Sequence, residues 1–141
     1  MKQKVVLAFS GGLDTSFCVP YLIKDKGLEV HTVIVNTGGF SENESALIEE
    51  RAKQLGATTH TCINAVDDYY TKGIKYLIYG NVLKNNTYPL SVSSERFFQA
   101  MAIVDHVKKI GAEYVAHGST GAGNDQIRFD LVFLVSKKLI T

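Results

Sequence analysis

The sequence predicts a doubly wound α/β fold: a mainly parallel sheet with helices on both faces, of Rossmann-like type. Lys4-Val5-Val6-Leu7-Ala8-Phe9 is apolar without alternation, as a parallel strand covered on both faces requires. That run stops at Gly11-Gly12, where a helical pattern begins, and short apolar runs then alternate with longer helical ones to the end of the chain. A length of 141 residues suits one domain and suffices to bury a substantial core.

Composition narrows the class. Hydrophobic residues make up 45% and charged residues 21%, and no apolar run approaches the ~20 residues of a membrane span. Met1-Lys2-Gln3-Lys4 leads straight into a strand pattern without a signal-peptide core, so a cytoplasmic protein with no membrane partner is expected. A net charge of +1 gives no electrostatic basis for binding nucleic acid. Cys18 and Cys62 lack metal-ligand spacing, and both are expected as buried small apolar residues.

The first strand, over 4–9, is expected at the centre of the sheet. Ser10-Gly11-Gly12-Leu13-Asp14-Thr15-Ser16 reads as a phosphate cradle. Glycines let backbone N–H groups close around phosphate oxygens, and the next helix aims its positive dipole end at the same spot. Ser10, Thr15 and Ser16 add hydroxyl donors, and Asp14 could hold Mg²⁺. The pattern G-x-x-x-x-G-K-[ST] occurs nowhere, so Walker-type cleavage of the β–γ bond is not supported. A plain strand-to-helix turn would account for the glycines, but not for their coincidence with an acid and hydroxyls.

A helix over 14–26 should end at Gly27 with lysines in its last turn. Pro20 lies inside it, where a lost hydrogen bond costs ~3 kcal/mol, so a late start or a kink is expected. A second strand over 30–35 leads to Asn36-Thr37-Gly38-Gly39-Phe40, a candidate nucleoside contact at a carboxyl strand end, which a plain loop explains equally well. Ser41 to Glu44 has the S-x-x-E pattern of a capping box, and its helix should run to Leu55 and stop at Gly56. Residues 58–65 read as a third, more polar strand in which His60 has a structural role.

Residues 67–80 look helical, with Tyr70, Ile74, Leu77 and Ile78 on one side and Tyr69, Tyr70, Tyr76 and Tyr79 in helix packing. Residues 81–86 lead into a loop. Pro89 then fixes an irregular backbone, and the serines around Ser94 cap a helix over 94–110 that Lys108, Lys109 and Gly111 close. His106 faces outward or packs locally. Residues 113–117 form a short buried strand.

From Gly118 to Arg128 the opening arrangement recurs: buried strand, glycine turn with hydroxyls, helix start. Two such turns could face one cleft. Their polar groups suit an anion or a zwitterion, with Asn124 and Asp125 available to an ammonium and Arg128 to a carboxylate. Helix capping by Asn124 and Asp125 is the simpler alternative. The G-x-G at Gly121 and Gly123 lacks the third glycine of a dinucleotide site.

SGGLDTS resembles the pyrophosphate loop of the ATP pyrophosphatases, which grips the β- and γ-phosphates as a leaving unit so that AMP and pyrophosphate are the products. Taken together, AFSGGLDTS, TYPLSVSSERF and AHGSTGAGNDQIRFD resemble the amino-terminal nucleotide-binding domain of the argininosuccinate synthase family, over nearly the whole chain. The resemblance implies that Ala8, Phe9, Ser10, Gly11, Gly12, Leu13, Asp14, Thr15 and Ser16 surround the phosphates of ATP, and that Val35 and Gly118 contact the nucleoside. It gives Tyr88 and Ser93 to citrulline, and Thr120, Asn124 and Asp125 to aspartate. Asn124 would also reach citrulline, Arg128 would grip a citrulline carboxylate, and Arg96 falls at a family arginine. ATP and Mg²⁺ are the implied cofactors, the metal arriving with ATP, and no nucleophilic side chain is required.

Family members continue past this region into a synthetase domain and an oligomerising tail, and form homotetramers. Residues 1–141 are accordingly expected to act as the ATP-binding PP-loop domain without turnover by themselves, and residues 135–141 to leave the family pattern. Two other readings stay open. One is a different PP-loop enzyme, such as an amidotransferase synthetase or a transfer-RNA-modifying thiolase, although near-neutral charge and the lack of paired Cys-x-x-Cys motifs count against the thiolase. The other is a nucleotide-binding module without turnover.

Overall fold

The computed structural model describes residues 2–121 and 123–136. Ala122, in the second glycine turn, and 137–141, in the segment expected to leave the family pattern, lie outside the described residues. In chain order the elements are β1 (Lys4–Ala8), α1 (Leu13–Lys24), β2 (Glu29–Asn36), α2 (Glu42–Gln54), β3 (Thr59–Asn64), α3 (Val66–Tyr69), a π-helical turn (Tyr70–Ile74), α4 (Lys75–Tyr79), β4 (Leu83–Lys84), β5 (Tyr88–Pro89), α5 (Ser91–Ile110), β6 (Tyr114–His117) and α6 (Asn124–Val135). The main sheet has the order β3-β2-β1-β6 and is parallel throughout. Its first three strands step outward in one direction, and β6 then returns to the other side of β1. The order therefore reverses between β1 and β6.

Central placement explains the unbroken apolar run of β1. Val5, Leu7 and Phe9 enter a core with Val19 and Leu22 of α1 and Ala52 of α2. Val6 enters the opposite core with Ala100, Ile103, Val104 and Val107 of α5 and Phe129 and Phe133 of α6. Each layer is a different set of helices, which is the two-faced covering that the sequence predicts.

Pro20 neither delays nor breaks α1, which runs unbroken from Leu13 to Lys24. Val19 and Leu22, on either side of the proline, are buried against the sheet, and their burial outweighs one missing backbone bond. Ser41 and Glu44 form the full capping box, each side chain accepting from the other residue's backbone N–H. The serines before α5 do not cap it: the helix opens earlier, at Ser91, with Leu90 at the N-cap and no side-chain bond there. Cys62 is exposed because β3 is an edge strand, and Cys18 is only partly buried.

The expected helix over 67–80 is interrupted by the π-helical turn, which rotates its later side chains. Tyr69 alone of the four tyrosines is buried, tilted against Phe98 with ring centroids 5.0 Å apart, while Tyr70, Tyr76, Tyr79 and Ile78 face solvent. Gly73 permits this approach, since a Cβ there would lie 2.9 Å from the Phe98 ring. Residues 81–90 contain a small hairpin, β4 paired with β5, turned by Asn85 and Asn86 at φ of 55° and 57°. Asparagine tolerates that left-handed region better than other side chains.

Phe133 is fully buried between α6 and the sheet. Phe133→Ala should lower stability by about 3–5 kcal/mol in urea titrations, because it opens a cavity under the helix that carries Asn124, Asp125 and Arg128.

Candidate nucleotide and amino-acid site

All three glycine-containing turns lie at the carboxyl edge of the sheet. They meet in a cleft of about 700 Å³ lined by Ser10 and Thr15 after β1, Thr37 and Gly39 after β2, and Gly118 and Ser119 after β6. This is the position that the strand order favours: in open parallel sheets the crevice for a ligand opens where neighbouring strands send their chains to opposite faces.

The two glycines of the first turn do different work. Gly11 has φ +75°, and a Cβ there would lie 3.2 Å from Ile48 Cγ1, so both backbone and space exclude a side chain. Gly12 is extended, at φ −75° and ψ 175°, and serves as the N-cap of α1. Its restriction is space alone, since a Cβ would lie 3.3 Å from Ser10 Oγ. Ser10 Oγ accepts from Gly12 N–H at 3.3 Å and lies 3.2 Å from Thr15 Oγ1, which ties the hydroxyls across the turn. The backbone N–H groups of Leu13, Asp14 and Thr15 head the helix, where no intrahelical acceptor exists. Leu13 contributes backbone only, its side chain being 87% exposed. Ser16 Oγ is buried with no hydrogen-bond partner among the described residues.

Gly118 sits directly against this cradle. A Cβ there would lie 2.8 Å from Thr15 Cγ2 and 3.3 Å from Thr15 N, so β6 and the head of α1 approach as closely as backbones can. His117 holds the second turn from below. Ser119 N–H donates to His117 Nδ1 at 3.2 Å, which leaves the proton on Nε2 to bond Asp130 at 2.8 Å. Gln126 donates to the other oxygen of Asp130 at 2.8 Å, and the imidazole stacks on Phe129.

A second cleft of about 810 Å³ adjoins the first and shares Gly118, Ser119 and Asp125 with it. Asp14, Tyr88, Ser93, Thr120, Asn124 and Arg128 line it. Ala8, Phe9 and Val35 line the first cleft instead, on the side of β1 and β2. Of the residues expected at phosphates and nucleoside, Ala8, Phe9, Ser10, Thr15 and Val35 line the first cleft alone, Asp14 the second alone, Gly118 both, and Gly11, Gly12, Leu13 and Ser16 neither; of those expected at amino acids, Tyr88, Ser93, Thr120, Asn124 and Arg128 line the second alone and Asp125 both.

A charged network runs between them. Thr37 Oγ1 donates to Glu95 at 2.5 Å, Gln99 to the same carboxylate at 3.3 Å, and Arg96 to Gln99 at 3.0 Å. Arg96 Nε bonds Asp125 at 3.1 Å, Arg128 bonds the other Asp125 oxygen at 2.8 Å, and Arg128 also donates to Ser93 Oγ at 3.0 Å. Burial pushes the Asp125 carboxyl up, but the bonds and charges of Arg96 and Arg128 outweigh it and hold the group below its ordinary 3.8. Sequence reading missed Glu95, Gln99, His117 and Arg51. Glu95 had a signal beside Arg96 at a helix start, whereas Gln99 and Arg51 have the look of any helix-surface residue.

Known proteins resemble this chain in sequence and in fold. The family model described as "Arginosuccinate synthase N-terminal HUP domain" matches residues 4–140. The chain belongs to the argininosuccinate synthase family. Argininosuccinate synthases of Xylella fastidiosa and Saccharolobus solfataricus are each 45% identical to it over 129 residues, 92% of this chain and 32% of theirs. The chain thus spans about a third of the length of the curated argininosuccinate synthases it matches. The family match extends to residue 140.

Among solved structures, a glutamine-dependent NAD⁺ synthetase from Acinetobacter baumannii, in complex with ADP, aligns over 93% of this chain and 25% of its own with a TM-score of 0.70 at 17% identity. A predicted subunit of tRNA methyltransferase from Methanocaldococcus jannaschii aligns over 99% and 67% with a TM-score of 0.61 at 20% identity. At these identities the likeness is one of fold.

The folded pKa of Asp125 lies below the unfolded one, so its contribution to stability is complete above about 3.8 and is lost as pH falls through the lower, folded value. Urea midpoints of the protein and of Asp125→Asn should therefore differ at neutral pH and converge below about pH 3.8. A gap that persists in acid would mean that the arginines do not hold the carboxylate.

Proposed function

We propose that this chain is the ATP-binding part of an argininosuccinate synthase, in which citrulline is activated by ATP and then joined to aspartate with release of AMP and pyrophosphate. The observation that supports it most is the pair of adjoining clefts with Gly118, Ser119 and Asp125 in common. A reaction that moves an adenylyl group onto a second substrate needs two binding volumes that meet at the transferred phosphorus.

In this reading the head of α1 and the hydroxyls of Ser10 and Thr15 take the phosphates, and the turns after β2 and β6, with Val35 and Gly118, take the nucleoside. Tyr88, Ser93 and Arg128 take citrulline, Thr120 and Asp125 take aspartate, and Asn124 serves both. Asp125 and Arg128 offer opposite charges 2.8 Å apart, the complement of a zwitterionic amino acid. The citrulline ureido oxygen attacks the α-phosphorus, pyrophosphate leaves, and the aspartate amine displaces AMP from the activated carbon. The residues here bind, orient and neutralise charge, which is most of what phosphoryl chemistry asks of a protein.

The described residues hold no cluster of three or more His, Cys, Asp or Glu fit for a metal. Mg²⁺ suits the cradle all the same, because it is commonly held by one or two carboxylates together with substrate phosphates. Asp14, in the first turn of α1, is the carboxylate that would do so, and the metal would supply charge neutralisation on the phosphates.

Calorimetric titration with Mg²⁺ and ATP tests the nucleotide assignment. The chain should bind ATP, while Gly12→Val should abolish binding by displacing Ser10 and filling the cradle; equal affinities would remove the assignment. For the amino-acid side, Arg128→Ala in a form carrying the remaining length of the relatives should raise the citrulline KM roughly 10- to 150-fold, from about 1.5–3 kcal/mol of lost contact, and leave ATP binding nearly unchanged. An unchanged citrulline KM would rule out that role.

A further inference from the structure

Arg51 lies in none of the motifs that resemble the family, yet it is attached to the cradle. It projects from the last turn of α2, and its Nη1 donates at 2.6 Å to the carbonyl of Gly11, 40 positions earlier in sequence. The same residue lines the first cleft, as do Ser10 and Thr15. A Gly11 carbonyl that swung into the cradle would put a partial negative charge where phosphate oxygens must sit. The bond to Arg51 pins it to α2 instead.

The bond uses one of the five N–H donors of a guanidinium. Arg51 takes part in none of the ion pairs among the described residues. Arg96, the other arginine lining the cleft, is paired with both Glu95 and Asp125. Arg51 is therefore the arginine of this cleft that forms no ion pair with a carboxylate among the described residues, and it lines the same cleft as the hydroxyls of Ser10 and Thr15. Uncompensated positive charge at a cleft wall attracts the most highly charged part of a ligand.

We propose that Arg51 is a further phosphate-recognition residue, which fixes the Gly11 carbonyl with one N–H and presents its remaining donors to the polyphosphate of the bound nucleotide. This rests on the reading that the cleft takes ATP, and it deepens that reading by separating the two ends of the ligand. ATP and free pyrophosphate should depend on Arg51, whereas AMP, which lacks the β- and γ-phosphates, should not.

The test is calorimetric titration of the chain, Arg51→Met and Arg51→Lys with ATP, inorganic pyrophosphate and AMP at several salt concentrations, with melting temperatures alongside. Arg51→Met should lose roughly 10-fold or more in affinity for ATP and pyrophosphate, the loss expected of one charge-assisted contact, with AMP changed less than about 2-fold. Its salt dependence for ATP should also flatten. Arg51→Lys should recover part of the pyrophosphate affinity, since charge returns without the planar fork, and it carries the test if the methionine variant does not fold. Equal losses for ATP, pyrophosphate and AMP without rescue by lysine would reduce Arg51 to a support for the loop and overturn the proposal. ATP and pyrophosphate binding that is the same in all three proteins would overturn it as well and leave the ATP reading standing. A parent chain that binds neither would remove both.

Discussion

Contact between Gly118 and Thr15 governs where everything else at the carboxyl edge can lie. Because no side chain separates them, the turn after β6 rests on the head of α1, and the two loops become one surface. The contact exists because β6 pairs with β1, which in turn depends on β1 being apolar on both faces. One face of β1 holds the helices that build the cradle, and the other holds α5 and α6, which carry the charged cluster. A polar residue at Val5, Val6 or Leu7 would disturb both clefts at once, although none of the three lines either.

The charged network is tuned by sharing. Asp125 accepts from two arginines, Arg128 divides its donors between Asp125 and Ser93, and Arg96 bridges Asp125 and Gln99. None of Asp125, Arg96 and Arg128 is satisfied by a single partner, so each can accept an exchange without being left unpaired in a partly buried place. That property matters in a cleft meant for a charged ligand, where an isolated charge is costly and a rigid one-to-one pair would have to be broken outright.

Much of this was legible in the sequence because the signals were local. The Gly11-Gly12 turn, the capping box at Ser41 and Glu44, and Gly111 as a left-handed helix stop each depend on a few neighbouring residues, and all are found where expected. What was not legible depends on residues far apart. The run over 67–80 keeps a helical pattern on paper, but Gly73 meets Phe98 of α5 and a π-helical turn results. The hairpin strands are two residues long, too short for any periodicity. Pro20 broke a local rule that burial of Val19 and Leu22 overrode. Among site residues, Ser10 and Arg128 lie in glycine-rich motifs, whereas Arg51 sits in an ordinary amphipathic helix and acquires its position only when α2 packs beside the first turn.

The strand order also bears on how the chain comes into being. β1 is made well before β6, one of its two neighbours, which pairs Tyr114 with Val5. Until that partner has been synthesised and the intervening α5 has crossed to the far face, β1 presents a bare edge of backbone donors and acceptors along an apolar strand. The newborn chain therefore passes through a stage in which an apolar strand is open to pairing with strands of other molecules. Closure of that edge and completion of the nucleotide cleft are the same event, so a ligand present during synthesis would favour the fold only after the sixth strand has docked.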